Sequence, residues 1–283
     1  MKTGFAPVTG RSLTTGPSGC VCPIILEEKS GVGRTHEPVK VGVPFPKGMV
    51  MDTTQVVLLD QEGNPILLQV QVLSRWIEGS VQWALLDFIA TVGPYQTVEY
   101  SVECWKAGPV NPSLNSSMIR QEGDVLKVDT GKVCFDLNPT WFKPFEQVVI
   151  DDSPCLASGK SNFVLTDDSG KTWAPQISTM EVETSGPVRV TVRAEGSFST
   201  DSQALPHFIA RLSFFRESGL VEIAFTLRNS RAACHPGGLW DLGDAGSMYF
   251  QDLSLHLSLP DSDSVTTSWN TCPFSPLSHH KGS

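Results

Sequence analysis

From Val39 onward the chain alternates short apolar runs with turn residues, the texture of strands rather than helices. Runs at Val39–Val43, Gln55–Leu59, Ile66–Leu73, Val81–Thr91 and Thr97–Cys104 are divided by turn formers such as Asp60-Gln61-Glu62-Gly63-Asn64 and Gly93-Pro94. In the last run Val98, Tyr100, Val102 and Cys104 alternate with Thr97, Glu99, Ser101 and Glu103, the period of a half-buried strand. Short strands packed this densely along the sequence predict a small barrel over 34–106. The stretch 107–117, Ala-Gly-Pro-Val-Asn-Pro-Ser-Leu-Asn-Ser-Ser, has no apolar period and reads as a linker.

Beyond the linker the strands lengthen. Val133, Phe135 and Leu137 alternate with polar neighbours, as do Val188, Val190, Val192 and Ala194. Phe208–Phe215, the turn Glu217-Ser218-Gly219 and Leu220–Asn229 predict a hairpin, and Leu253, Leu255, Leu257 and Leu259 a last strand. Good amphipathic-helix spacing is missing throughout, so the fold expected is all-β: a small barrel, then an antiparallel β-sandwich over 118–260. Residues 1–33, rich in Gly, Ser, Thr and Pro, read as a flexible arm, and 261–283 as a disordered polar tail.

Composition narrows the partners. The 283 residues carry 21 Lys and Arg against 30 Asp and Glu, a formal charge of −9, which speaks against nucleic acid and anionic membrane as partners. No apolar run is long enough to span a bilayer. Met1–Gly19 lacks an apolar stretch and reads as no secretory signal, leaving the compartment open. The 7 cysteines fall at irregular spacing without a Cys-x-x-Cys pair; Cys20-Val-Cys22 offers two ligands, too few for structural zinc. Ser158-Gly159-Lys160-Ser161 resembles the end of a phosphate-binding loop, but Pro154 stands where that loop needs glycine. Asp151-Asp152 and Asp167-Asp168 sit beside turn residues and read as backbone caps.

One segment concentrates chemistry. Arg228-Asn229-Ser230-Arg231-Ala-Ala-Cys234-His235, followed by Gly238-Leu-Trp240-Asp241-Leu-Gly-Asp244-Ala-Gly246, joins two predicted strands. Carboxylates take hydroxyl hydrogen bonds while an indole face stacks on sugar C–H groups, so Trp240, Asp241, Asp244 and His235 are candidate carbohydrate contacts. Arg228, Arg231 and His235 suit a uronate carboxylate and are the candidate catalytic groups; Asp241 and Asp244 are candidates for a divalent cation such as calcium, although no cofactor is expected. The competing reading makes Trp240 a core plug and the two Asp turn caps. Trp76 and Trp83 flank Glu78-Gly79, which reads as a tight turn, and both are expected in the core. His207 and Arg211 share one face of an extended strand.

At these residues a resemblance is usable. Glu37-Pro-Val-Lys-Val-Gly-Val-Pro-Phe-Pro-Lys-Gly48, with Trp76-x-Glu-Gly-Ser-Val-x-Trp83-Ala-Leu-Leu, resembles the N-terminal RIFT barrel of the YetA-like exo-rhamnogalacturonan lyase family. Residues 118–260 resemble that family's central β-sandwich, and Gly238–Asp244 is similar to its signature loop. Family members continue into a C-terminal α/α toroid that is not read here. The resemblance therefore implies the front β domains of a pectin-backbone lyase, with that toroid as packing partner and a polysaccharide or oligosaccharide as ligand. It fits a cytoplasmic or a secreted protein, and it transfers no catalytic residue. The reading expected is a non-catalytic, scaffolding or sugar-contacting portion of such a lyase, and the chain is expected to be a fragment or truncated product. An active lyase working by β-elimination on a uronate, and a protein-interaction module without sugar binding, stand as alternatives.

Overall fold

A computed structural model describes residues 22–104, 117–156, 161–198, 206–232, 246–260, 265–269 and 278–282. The chain divides into two compact units, Met1–Asn115 with Ser262–Ser283, and Ser116–Asp261.

The first unit holds β1 (Cys22–Glu27), β2 (Arg34–Pro44), β3 (Val56–Leu59), β4 (Leu68–Arg75), β5 (Val81–Val92) and β6 (Thr97–Cys104). They form two antiparallel three-stranded sheets, ordered β1-β6-β3 and β2-β5-β4. Val56, Leu58, Leu68, Ala84, Leu86, Phe88, Tyr100 and Val102 fill the interior of this small barrel. Strand β1 corrects the expectation of a loose arm over 1–33 for its own residues, Cys22–Glu27. Ile24 is buried opposite Tyr100, so the short apolar run Pro23–Leu26 completes a sheet through a partner far along the chain.

The turn at the end of β4 follows the sequence reading. The Trp76 N–H donates to the Ser80 carbonyl at 2.8 Å, and Gly79 adopts φ 101°, which a side chain would resist. The two tryptophans depart from expectation. Trp83 is 43% exposed and Trp76 half-buried, its Nε1 donating to the Phe45 carbonyl at 3.1 Å. The turn and the shifted β4–β5 register past Val72 put Trp83 on the outer side of its sheet, beside Gly42.

The second unit holds β7 (Ile119–Glu122), β8 (Val125–Asp129), β9 (Val133–Leu137), β10 (Gln147–Ile150), β11 (Ser153–Pro154), β12 (Asn162–Asp167), β13 (Thr172–Trp173), β14 (Gln176–Ser185), β15 (Arg189–Ser197), β16 (His207–Phe215), β17 (Val221–Arg228) and β18 (Phe250–His256). Sheets ordered β11-β10-β9-β8-β7, β14-β15-β16-β17 and β13-β12-β18 enclose one core. Antiparallel pairing throughout and period-two burial identify the β-sandwich. The predicted hairpin is β16–β17. Its positive φ falls on Glu217 at 54°. Gly219 serves close approach instead, since a Cβ there would stand 3.3 Å from Val133 Cγ2.

The tail, expected to be disordered, pairs β19 (Val265–Trp269) with β20 (Ser278–Gly282) in its described part. The Thr and Trp residues of β19 favour extended backbone, and the Ser268 hydroxyl lies 2.7 Å from His279 Nδ1 across the pair. The only helix among the described residues is the single 3₁₀ turn Thr53–Gln55, and none is long and apolar enough to cross a membrane.

Candidate functional site

The chemistry-rich connection runs from the end of β17 to the start of β18. Strand β17 alternates half-buried Val221, Ile223, Phe225 and Leu227 with exposed residues, so Arg228 emerges on the solvent side at the strand end. Its register partner on β16 is His207, also exposed, so a guanidinium and an imidazole share one sheet end. His207 and Arg211 do share a face, but they part in role: Arg211 makes a two-pronged pair with Glu183 of β14 at 2.7–2.9 Å.

Asn229 closes the base of the connection. Its Nδ2 donates to the Gly246 carbonyl at 2.7 Å, while its Oδ1 accepts from the Arg231 N–H at 3.0 Å, an Asx turn that redirects the chain. Arg231 adds a second tie, Nη1 to the Ser247 carbonyl at 3.3 Å. The returning leg then carries exposed Tyr249 and Phe250 into β18, where Phe250 stands opposite Asp167 and Gln251 Nε2 donates to the Asp168 carbonyl at 3.0 Å.

Asp167 anchors that neighbourhood. One carboxylate oxygen accepts from the Ser169 hydroxyl at 2.6 Å, the Ser169 N–H at 2.9 Å and the Lys171 N–H at 3.0 Å. The other accepts from Trp173 Nε1 at 2.7 Å. The Ser169 hydroxyl and the Trp173 indole, helped by the backbone bonds and opposed by burial, hold the Asp167 carboxyl down to about 2. The turn-cap reading of Asp167 is thus realised, and the indole bond is an addition that spacing alone does not reveal.

Of the residues singled out from sequence, Arg228 pairs in register with His207 at the sheet end, and Arg231 lies at the base of the connection, tied to Asn229 and Ser247. His235, Trp240, Asp241 and Asp244 lie outside the described residues. Tyr249 is a surface contributor that sequence reasoning passed over, and Asn229 a structural one whose role it did not assign; the signal for Asn229 was an Asn standing two residues before Arg231 at a strand end. Among the described residues no three His, Cys, Asp or Glu side chains gather as a metal site.

The barrel also buries two polar side chains, Asp87 and Gln69, that carry no sequence signal. Asp87, 1% exposed, stands between Lys40 on β2 and Gln69 on β4 in the register.

A comparison with family models matches residues 27–103 to the PcRGLX-like N-terminal RIFT barrel domain and 117–233 to the PcRGLX-like protein central beta sandwich domain. A comparison with curated proteins finds no match. Arg228 and Arg231 fall within the second matched stretch, and Gly238–Asp244 beyond it. By both matched stretches the chain belongs to the PcRGLX-like family, of which it carries the rhamnogalacturonan lyase-like barrel and sandwich domains.

Proposed function

We propose that this chain supplies a non-catalytic, sugar-contacting surface of a rhamnogalacturonan lyase-like protein, with the β17–β18 connection as the contact. The observation that carries the reading is the tied base of that connection. Asn229 and Arg231 hold its two legs together while Arg228, His207 and Tyr249 remain exposed around it. Guanidinium groups recognise a uronate carboxylate, and an exposed aromatic ring offers a face to pyranose C–H groups. Trp240, Asp241, Asp244 and His235 would extend the same chemistry along the connection.

Calorimetry of the intact chain with rhamnogalacturonan oligosaccharides tests the proposal. Saturable heat is expected, reduced about 2- to 10-fold in affinity by Trp240→Ala, as suits the loss of about 0.5–1.5 kcal/mol of ring stacking. No heat would favour a protein-interaction module and overturn the sugar reading. Growth of unsaturated-uronate absorbance during incubation, abolished by His235→Ala, would overturn the non-catalytic part and make the chain a lyase, with His235 as base and Arg228 and Arg231 as the carboxylate clamp.

A further inference from the structure

The barrel brings two thiols from neighbouring strands to one pocket. Cys22 opens β1 and Cys104 closes β6, and both line a small apolar recess with Val43, Pro44, Phe45, Pro46 and Val102. Both residues face the barrel interior. Cys22 is opposite buried Val102, and Cys104 lies two residues further along the same face of β6. The two are therefore diagonal neighbours across an antiparallel pair rather than direct partners.

That placement decides which chemistry they can share. Diagonal cross-strand positions stand about 7–8 Å apart, somewhat less between Cβ atoms. A disulfide requires Cβ atoms about 3.5–4.5 Å apart, so this pair sits outside the range of an unstrained S–S bond. An ion held linearly between two sulfurs, with metal–sulfur bonds of about 2.3 Å, sets the sulfurs about 4.6 Å apart, which a diagonal pair reaches by rotating its side chains. Besides the two cysteines, the side chains lining the recess are all apolar, so a hard cation demanding several oxygens finds too few ligands in it. Zinc, which takes four ligands in structural sites, is equally short of partners.

We propose that Cys22 and Cys104 form a two-coordinate site for a soft, thiophilic monovalent cation of the cuprous or silver type. On binding, each thiol gives its proton to solvent as its sulfur bonds the ion, so one cation enters and two protons leave. The apolar walls then shield the resulting bis-thiolate from water. The site is independent of the proposed sugar surface, which lies in the other unit.

Silver(I) is the probe. In the full-length chain with Cys20, Cys134, Cys155, Cys234 and Cys272 replaced by Ser, titration should saturate at one silver per chain. It should bring an ultraviolet sulfur-to-metal absorption and a rise in melting temperature, because the ion binds the folded state. Replacing either remaining thiol, Cys22→Val or Cys104→Val, keeps an apolar side chain in the wall and should weaken silver at least about 100-fold, the scale lost when two tethered ligands become one. Circular dichroism of both variants verifies the fold. Two silver ions bound independently, or a Cys104→Val variant that binds as tightly as its parent, would overturn the site and leave two thiols that merely pack as small apolar side chains.

Discussion

The two domains solve the same packing problem with different side chains. The barrel interior is filled chiefly by Val, Leu and Ala, and its described ring contact is the Phe88–Tyr100 pair at 5.2 Å. The sandwich interior is a web of phenylalanines. Phe135 of β9 meets Phe214 of β16 at 4.9 Å, and Phe163 of β12 stacks on Phe225 of β17 at 4.5 Å. Phe142 touches the rings of Phe163, Phe208 and Phe225 together. Packed sheets stand about 10 Å apart, a gap that a ring crosses and a valine does not, whereas the narrow barrel is filled mostly by small and branched aliphatics around a few rings. The lesson is that sheet geometry, more than apolar content, selects the residues of each core.

The sharpest way to break this contrast is to remove one ring. Phe208→Ala, at a position 1% exposed and stacked against Phe225, should cost about 3–5 kcal/mol in chemical denaturation. Leu86→Ala in the barrel, also fully buried, should cost about 2–5 kcal/mol and fall below the Phe208 variant. A larger loss at Leu86 would show that the rings are not what distinguishes the sandwich.

A second contrast concerns anchoring carboxylates. Glu28 in the barrel accepts the N–H groups of Ser30, Gly31, Val32 and Tyr95 at 2.7–3.2 Å, tying the β1–β2 connection to the turn before β6. Burial pushes its carboxyl up, and those backbone bonds outweigh it and hold the group below its ordinary value. Asp167 does the corresponding work in the sandwich, down to about 2. Its depressed value means that its stabilisation is complete above an ordinary aspartate's titration near pH 4, and is lost as pH falls towards 2. Asp167→Asn should therefore destabilise at pH 7 and progressively less from pH 4 downwards, seen as a flattened stability–pH curve. An undiminished effect at pH 2 would contradict the charged anchor. The smallest effect is expected at the solvent face of β14–β16, where Arg211→Gln breaks the pair with Glu183. With side chains 41% and 34% exposed, the loss should stay within about 0.2–1 kcal/mol and shrink further with added salt.

Much of the fold was legible because period-two burial is local. The half-buried Val221, Ile223, Phe225 and Leu227 follow the alternation read from β17, as do the buried Val133, Phe135 and Leu137 of β9. Strand β1 was illegible because what makes Pro23–Leu26 a strand is β6, supplied by residues far beyond its own window. Strand β14 was missed for another reason: its residues are mostly exposed, so its apolar pattern is faint although its pairing with β15 is long. Of the candidate site, Arg228 and Arg231 could be placed from sequence because a strand end fixes them. The Asn229 bond to Gly246 could not, since it depends on where the chain returns.

That single side-chain bond has a consequence for how such proteins diversify. The amide of Asn229 grips a main-chain carbonyl, a group every residue possesses, so the clasp is blind to what the intervening segment spells. A substitution at position 246 leaves that acceptor in place, so this joint fixes where the chain returns and not which residue returns there.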